Sequence, residues 1–373
     1  MGLRIFEVDS KPVRMDEDIA VAVYRFPTPH PEADATLEWD WTTAVAVRIG
    51  AGGEFGLGWT YGSPAVAEVI TTHLWPVLSG GSPFDTPGCW RSMHRACRNI
   101  GTKGIAAFAI SAVDIALWDL KAKLLGVPLA TLFGVVRDRV PLYGSGGFTN
   151  LEETALTEQV GEWLAAGCTA VKIKIAERRG ADLDRDLARV GRLRELTGPQ
   201  VSIMVDANGG YTVGQARRVG AELDRLGVVW FEEPVTSDDP IGLAAVRDSV
   251  RCDVTAGEYA YDVYDAAALL EAVDCLQLDV TRCGGYTGFL RAAALAAARG
   301  LEVSGHCAPE LHGPVAAAVP NLRHLEWFID HARLGPLLAE GIPEVSDGAL
   351  IVQQDRPGHG MRISESASMY RLR

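Results

Sequence analysis

Several things are scarce in this 373-residue chain. No apolar run approaches the length needed to span a bilayer, and the opening "MGLRIFEVDSKPVRM" has no apolar h-region, so neither a membrane anchor nor a secretory leader is expected. The seven cysteines are an odd number with no CxxC pair; Cys89, Cys97, Cys168, Cys252, Cys275, Cys283 and Cys307 read as buried free thiols of a reducing compartment, and a cytoplasmic protein follows. Basic residues are in deficit, with a formal net charge of −13, which argues against a nucleic-acid or polyanion surface. No His-x-His pair ends a strand, which disfavours a dinuclear zinc barrel. No linker or low-complexity segment stands out.

What is present is enough apolar material, 48% of residues, for a large core. Two styles of sequence divide it. Up to residue 135, strands ("TTAVAVRIG", "GEFGLGWTYG") precede helices, the longest being "IAAFAISAVDIALWDLKAKLLG", ended by Gly126 and Pro128; this is an α+β arrangement. From 136 to 335 the pattern is strand, loop, helix, repeated. The strands are "VPLYGS", "AVKIKI", "SIMVDA", "VVWFEE", "DVTAGE", "CLQLDV", "EVSGH" and "RHLEWF", recurring at intervals of roughly 20 to 30 residues, as in a (β/α) barrel. The segment 336–373 has short strand signals and is expected to pack back on the N-terminal module rather than extend the barrel.

Each barrel strand after the first carries an ionisable residue at or near its C-terminal end: Lys172 and Lys174, Asp206, Glu232, Glu258, Asp279, His306 and Glu326, with Ser145 in the corresponding place on the first. In a barrel these ends meet at one mouth, where active sites of the fold sit. Asp206, Glu232 and Glu258 come from successive strands, and three adjacent carboxylates repel unless a cation bridges them; all-oxygen ligation suits Mg²⁺. Glu233 points to the other face. Asp279 beside His306 gives the dyad of a general-base histidine. In "AVKIKI" the two lysines share one face of a strand, so Lys172 is expected to lower the pKa of Lys174 and leave it a neutral base. Lys172 is also placed to hydrogen-bond a substrate carboxylate, and Glu326, if protonated, to donate to its other oxygen. Mg²⁺ at the acids could then chelate a substrate carboxylate and neutralise an enediolate, with Lys174 and His306 as acid/base groups on its two faces.

The segments "VKIKI", "VDANGGYT", "WFEEP", "TAGE", "LDVTRCGGYTG", "SGHCAPELH" and "HLEWF", with "AISAVDIALWDLKAKLLGVPL" upstream, resemble the enolase superfamily, specifically its mandelate racemase subgroup. The resemblance implies a modified TIM barrel, (β/α)₇β, with an α+β capping domain built from both termini. It also implies one Mg²⁺ held by Asp206, Glu232 and Glu258, Lys174 and His306–Asp279 as acid/base groups, and Glu326 as electrophilic donor. Asn208 falls where that family has a polar group behind the ligands. Arg282–Cys283–Gly284–Gly285 after the sixth strand offers no lysine base, which disfavours the muconate-lactonizing branch, and "AERRGADLDRD" is longer than in compact members.

With both bases present the expected reaction is dehydration of a sugar acid to a 2-keto-3-deoxy acid, the alternative being a racemase or epimerase of a 2-hydroxy acid. A barrel used only for binding would lack a ligand or a base, and none is missing. The partner is a small carboxylate, not nucleic acid or membrane, and a homo-oligomer is expected. Specificity is expected from "YRFPTPHPEADATLEWDW", read as a long loop carrying Arg25, and from "WTYG" with Trp59.

Overall fold

The computed structural model of the chain describes residues 13–372; the first twelve residues, part of the stretch read above for a leader, lie outside them. Three antiparallel strands open the fold: β1 (Met15–Ala33), β2 (Glu38–Ala51) and β3 (Glu54–Tyr61), in the order β1-β2-β3. The long Pro-containing loop expected between Tyr24 and Trp41 is therefore mostly strand, a hairpin whose tip is residues 34–37. Pro27, Pro29 and Pro31 fit because β1 is an edge strand, where a missing N–H faces no ladder, and the register shifts between Pro27 and Glu32.

The helix Ile105–Leu124 packs on this sheet. Its small apolar residues let it approach β3 closely. A Cβ at Gly56 would lie 2.0 Å from the Ala116 carbonyl oxygen, and one at Gly58 2.2 Å from that of Ala112, so only glycine fits there. Two buried acids on the helix act as joints. Asp119 accepts from the backbone N–H groups of Leu57 (2.9 Å) and His359 (2.8 Å), tying the sheet and the C-terminal segment to the helix. Asp114 accepts from the N–H (2.9 Å) and hydroxyl (2.7 Å) of Thr287 at the start of the barrel helix Gly285–Ala298.

The barrel strands fall where the sequence predicts them: β4 (Arg139–Gly146), β5 (Ala170–Lys174), β6 (Ser202–Asp206), β7 (Val228–Glu232), β8 (Asp253–Ala256), β9 (Cys275–Leu278), β10 (Glu302–Gly305) and β11 (Leu322–Phe328). All neighbours are parallel, and β11 pairs with β4 to close the ring. Helices separate successive strands, and Ile329–Leu338 follows β11. Tyr143, Met204, Trp230 and Cys275 fill the interior below the mouth. In the C-terminal segment Ala349–Ile351 pairs antiparallel with the opening residues of β4. The segment then returns to the N-terminal sheet, where the Leu372 N–H donates to the Val23 carbonyl at 2.8 Å. No described helix is long and apolar enough to cross a membrane. All seven cysteines are buried and free.

Candidate active site

Strand register assembles the acids. Lys174 stands opposite Asp206 in the β5–β6 pairing, and Asp206 opposite Glu232 in β6–β7. Glu258 follows the end of β8. One oxygen from each of Asp206, Glu232 and Glu258 lies within 4.8 Å of the others, and all three side chains are buried. Glu232 is pushed up to about 7 by burial, and by Asp206, Glu326 and Glu258, even against the pull of Lys172. Glu258 Oε2 is buried without a hydrogen-bond partner, 3.4 Å from His306 Nε2. Crowded buried carboxylates with a spare oxygen fit a hard dication. Glu233, expected on the other face, sits beside the same acids. Its buried carboxyl is pushed far up by burial and by Glu258, Asp206 and Glu232.

The two lysines have different surroundings. Lys172 is fully buried, with Nζ 2.6 Å from both Glu232 oxygens and 2.9 Å from Glu326 Oε1. It is not among the residues that line the cavity at the mouth. Lys174 does line that cavity, and its Nζ donates to Asp206 Oδ2 at 2.5 Å. The expected depression by Lys172 is present, but it does not prevail among the side chains around Lys174. Burial and Lys172 both push its pKa down, but Asp206, Glu326 and Glu258 outweigh them and hold it well above the usual lysine range.

On the other side of the ring, His306 Nδ1 lies 2.9 Å from Asp279 Oδ2. Burial opposes the charged imidazole, yet Glu258 and Glu326 raise its pKa overall. Asp279 is held below the usual carboxylate range: burial would raise it, but the His306 hydrogen bond and Arg282 prevail. Glu326 differs from expectation. Although burial favours its neutral form, Lys172, His306 and Lys174 keep it an anion, and it accepts from Ser145 Oγ (2.6 Å) and the Cys307 N–H (2.9 Å). Asn208 takes a left-handed turn (φ 42°), donates from its backbone N–H and Nδ2 to Asp206, and leaves Oδ1 buried and unpartnered at the cavity.

The cavity is about 350 Å³, lined by Lys174, His306, Glu258 and Glu326 at the barrel end and by β2 and β3 residues above. Of the specificity residues expected there, neither Arg25 nor Trp59 reaches it. Arg25 stacks behind Trp41, its guanidinium 4.7 Å from the ring centroid. Trp59 is fully buried against His359. It shares a face of β3 with Tyr61, two residues on, and its Nε1 donates to the Tyr61 hydroxyl at 3.1 Å. Depth along the strand leaves Tyr61 at the mouth with Trp39 and Trp41 of β2. Sequence reasoning missed Tyr259, Arg282, Asp330 and His331, which also line the cavity. Each lies two to four residues past the end of β8, β9 or β11, and that position was the available signal. Arg282 bridges Glu258 Oε1 (3.1 Å) and Asp279 Oδ2 (3.3 Å), and Asp330 accepts from Thr42 Oγ1.

A capped, closed parallel barrel with three metal-ready acids and an acid/base group on either side defines an enolase-type enzyme. Residues 19–134 match the mandelate racemase / muconate lactonizing enzyme N-terminal domain, and residues 155–367 the enolase C-terminal domain-like family. The chain belongs to the mandelate racemase subgroup of the enolase superfamily. It is 36% identical to a 3,6-anhydro-alpha-L-galactonate cycloisomerase of Streptomyces coelicolor, over 83% of this chain and 85% of that one. It is 33% identical to the L-talarate/galactarate dehydratase of Salmonella typhimurium, over 84% and 78%. A structure of that dehydratase with Mg and L-lyxarohydroxamate superposes with a TM-score of 0.89 at 29% identity, covering 100% of this chain and 96% of that one. A mandelate racemase/muconate lactonizing enzyme-like protein from Rubrobacter xylanophilus has a TM-score of 0.92 at 42% identity, covering 95% and 99%.

Proposed function

We propose that the protein dehydrates a sugar acid to a 2-keto-3-deoxy acid, using one Mg²⁺ held by Asp206, Glu232 and Glu258. The observation that carries the reading is that Lys174 and His306, from the second and seventh strands of the ring, line one cavity together with Glu258. When bound, Mg²⁺ supplies positive charge that polarises a substrate carboxylate and offsets the hold of the acids on the Lys174 proton. Lys174 Nζ then takes the α-proton, and the electron pair passes into the carboxylate. The C–O bond at the β-carbon breaks with its pair on oxygen, His306 Nε2 supplies the proton, and water leaves. The resulting enol takes up a proton at carbon 3 and becomes the 2-keto acid. Asp279 holds the imidazole through Nδ1, which leaves Nε2 facing the cavity.

Support comes also from the dehydratase relative and its magnesium-bound structure. A second reading, isomerisation, is favoured by a proton carrier on each side and by the cycloisomerase relative. A panel of sugar acids incubated with the Mg²⁺-loaded enzyme in D₂O separates the two. Dehydration gives 2-keto-3-deoxy products, abolished by EDTA. Epimer or ring-opened isomer without a keto-deoxy acid shifts the assignment to an isomerase. Turnover that survives EDTA refutes the metal's part.

A further inference from the structure

We propose that His306, Cys307 and Glu326 form a second metal site, selective for a thiophilic dication of the zinc class, whose occupation silences the enzyme. His306 Nε2 lies 3.3 Å from Cys307 Sγ, Cys307 Sγ lies 3.4 Å from Glu326 Oε2, and His306 Nε2 lies 3.8 Å from Glu326 Oε2. Zinc bonds of about 2.0 to 2.3 Å in a tetrahedron put ligand atoms roughly 3.3 to 3.6 Å apart, so this triangle is already close to one face of such a site. The three donors are at least nine-tenths buried, at 6%, 4% and 1% exposure, yet all border the cavity, which leaves the fourth position to water.

The surroundings are those of a metal-binding histidine. Asp279 holds Nδ1, fixing the tautomer that presents the Nε2 lone pair, the carboxylate–histidine–metal arrangement. Ser145 and Lys172 occupy Glu326 Oε1 and leave Oε2 to the cavity side with the Cys307 N–H. Cys307 itself adopts a left-handed backbone (φ 51°), which brings its sulfur beside the imidazole of the preceding residue. A nitrogen, sulfur and oxygen set differs in kind from the all-oxygen set of Asp206, Glu232 and Glu258. The first prefers borderline-soft ions and the second hard ones, so the two sets sort metals by chemistry. On binding, the thiol proton passes to solvent as the metal–sulfur bond forms. His306 Nε2 is then a ligand and can no longer carry a proton. That inhibitory consequence rests on the function proposed above; the binding does not.

Co²⁺ titrated into Mg²⁺-saturated protein tests the site without reference to activity. One equivalent should produce a sulfur-to-cobalt charge-transfer band and the visible bands of four-coordinate cobalt, and Zn²⁺ should erase them. Cys307→Ser and Cys307→Ala, each checked for wild-type far-ultraviolet circular dichroism, should lose the charge-transfer band. No such band in the wild type, or a band that persists in both variants, overturns the proposal. Once a substrate is known, Zn²⁺ should inhibit wild type at a concentration at least about tenfold below that needed for Cys307→Ser, since even outer partners of a ligand are worth about 10- to 100-fold in affinity. A cobalt band alongside a panel of acids that all fail to react would sink the function and leave the site standing.

Discussion

Lys172 has no exposed surface, and its ammonium is shared between Glu232 and Glu326. Lys174, two residues on, reaches the cavity. The difference follows from depth along one strand face: the lower lysine is held among the acids, and the upper one borders the cavity. The charge of each is decided by what stands opposite, which one strand's sequence does not contain. The same holds for Glu326, legible as a strand-end acid but kept anionic by two lysines and His306. His306 belongs to this scale too. His306→Asn should preserve the fold and substrate binding while lowering kcat by about 10²- to 10⁴-fold, the range supplied by a positioned acid/base group. Steady-state kinetics with the preferred acid is the measurement, and a near-wild-type kcat would remove the dyad from the mechanism.

Elements meet through buried acids. Asp114 is fully buried between the helix Ile105–Leu124 and the barrel helix Gly285–Ala298, and burial pushes it up to about 7 despite its bonds from Thr287. Between about pH 4 and 7 the folded protein therefore binds a proton that the unfolded chain has released. Stability contributed by this group is full at the acid end and lost as pH rises through about 7. Asp114→Asn keeps an acceptor for Thr287 and cannot ionise. Relative to that variant, wild type should lose up to on the order of 4 kcal/mol between pH 4 and 8. Denaturant midpoints of both proteins across that range check it, and a constant difference would refute it. The helix and β3 were readable from "GEFGLGWTYG" and a run of small apolar residues, while their close approach at Gly56 and Gly58 shows only in the structure. The β1–β2 hairpin was not. Its prolines read as a loop, and only pairing along one edge makes them compatible with strand.

Across the whole molecule, the ring brings the acids within metal-ligand reach of one another and leaves Glu258 with a spare oxygen. A cation that binds only the folded protein stabilises it by mass action. Mg²⁺ at a hundredfold excess over its Kd should add about 2.7 kcal/mol, raising Tm by several degrees, with EDTA reversing the change. Scanning calorimetry reads this without a substrate. A Tm indifferent to Mg²⁺ would argue that the acids hold no ion.

The order of strands and helices, and the polar residue at each strand end, were set locally. Period-2 and helical patterning, with turn residues between, are properties of short segments, so the sequence by itself determined the barrel and most of its mouth. Tertiary structure decided what depends on through-space distance. Closure of β11 on β4 brings Lys174 and His306 to one cavity. The way the cap sheet lies over the barrel selects Trp39, Trp41 and Tyr61 over Trp59, which shares Tyr61's face but sits deeper. The proton affinities of Lys174 and Glu326 arise in large part from partners about 150 residues away in the chain, because charge acts across space and not along it.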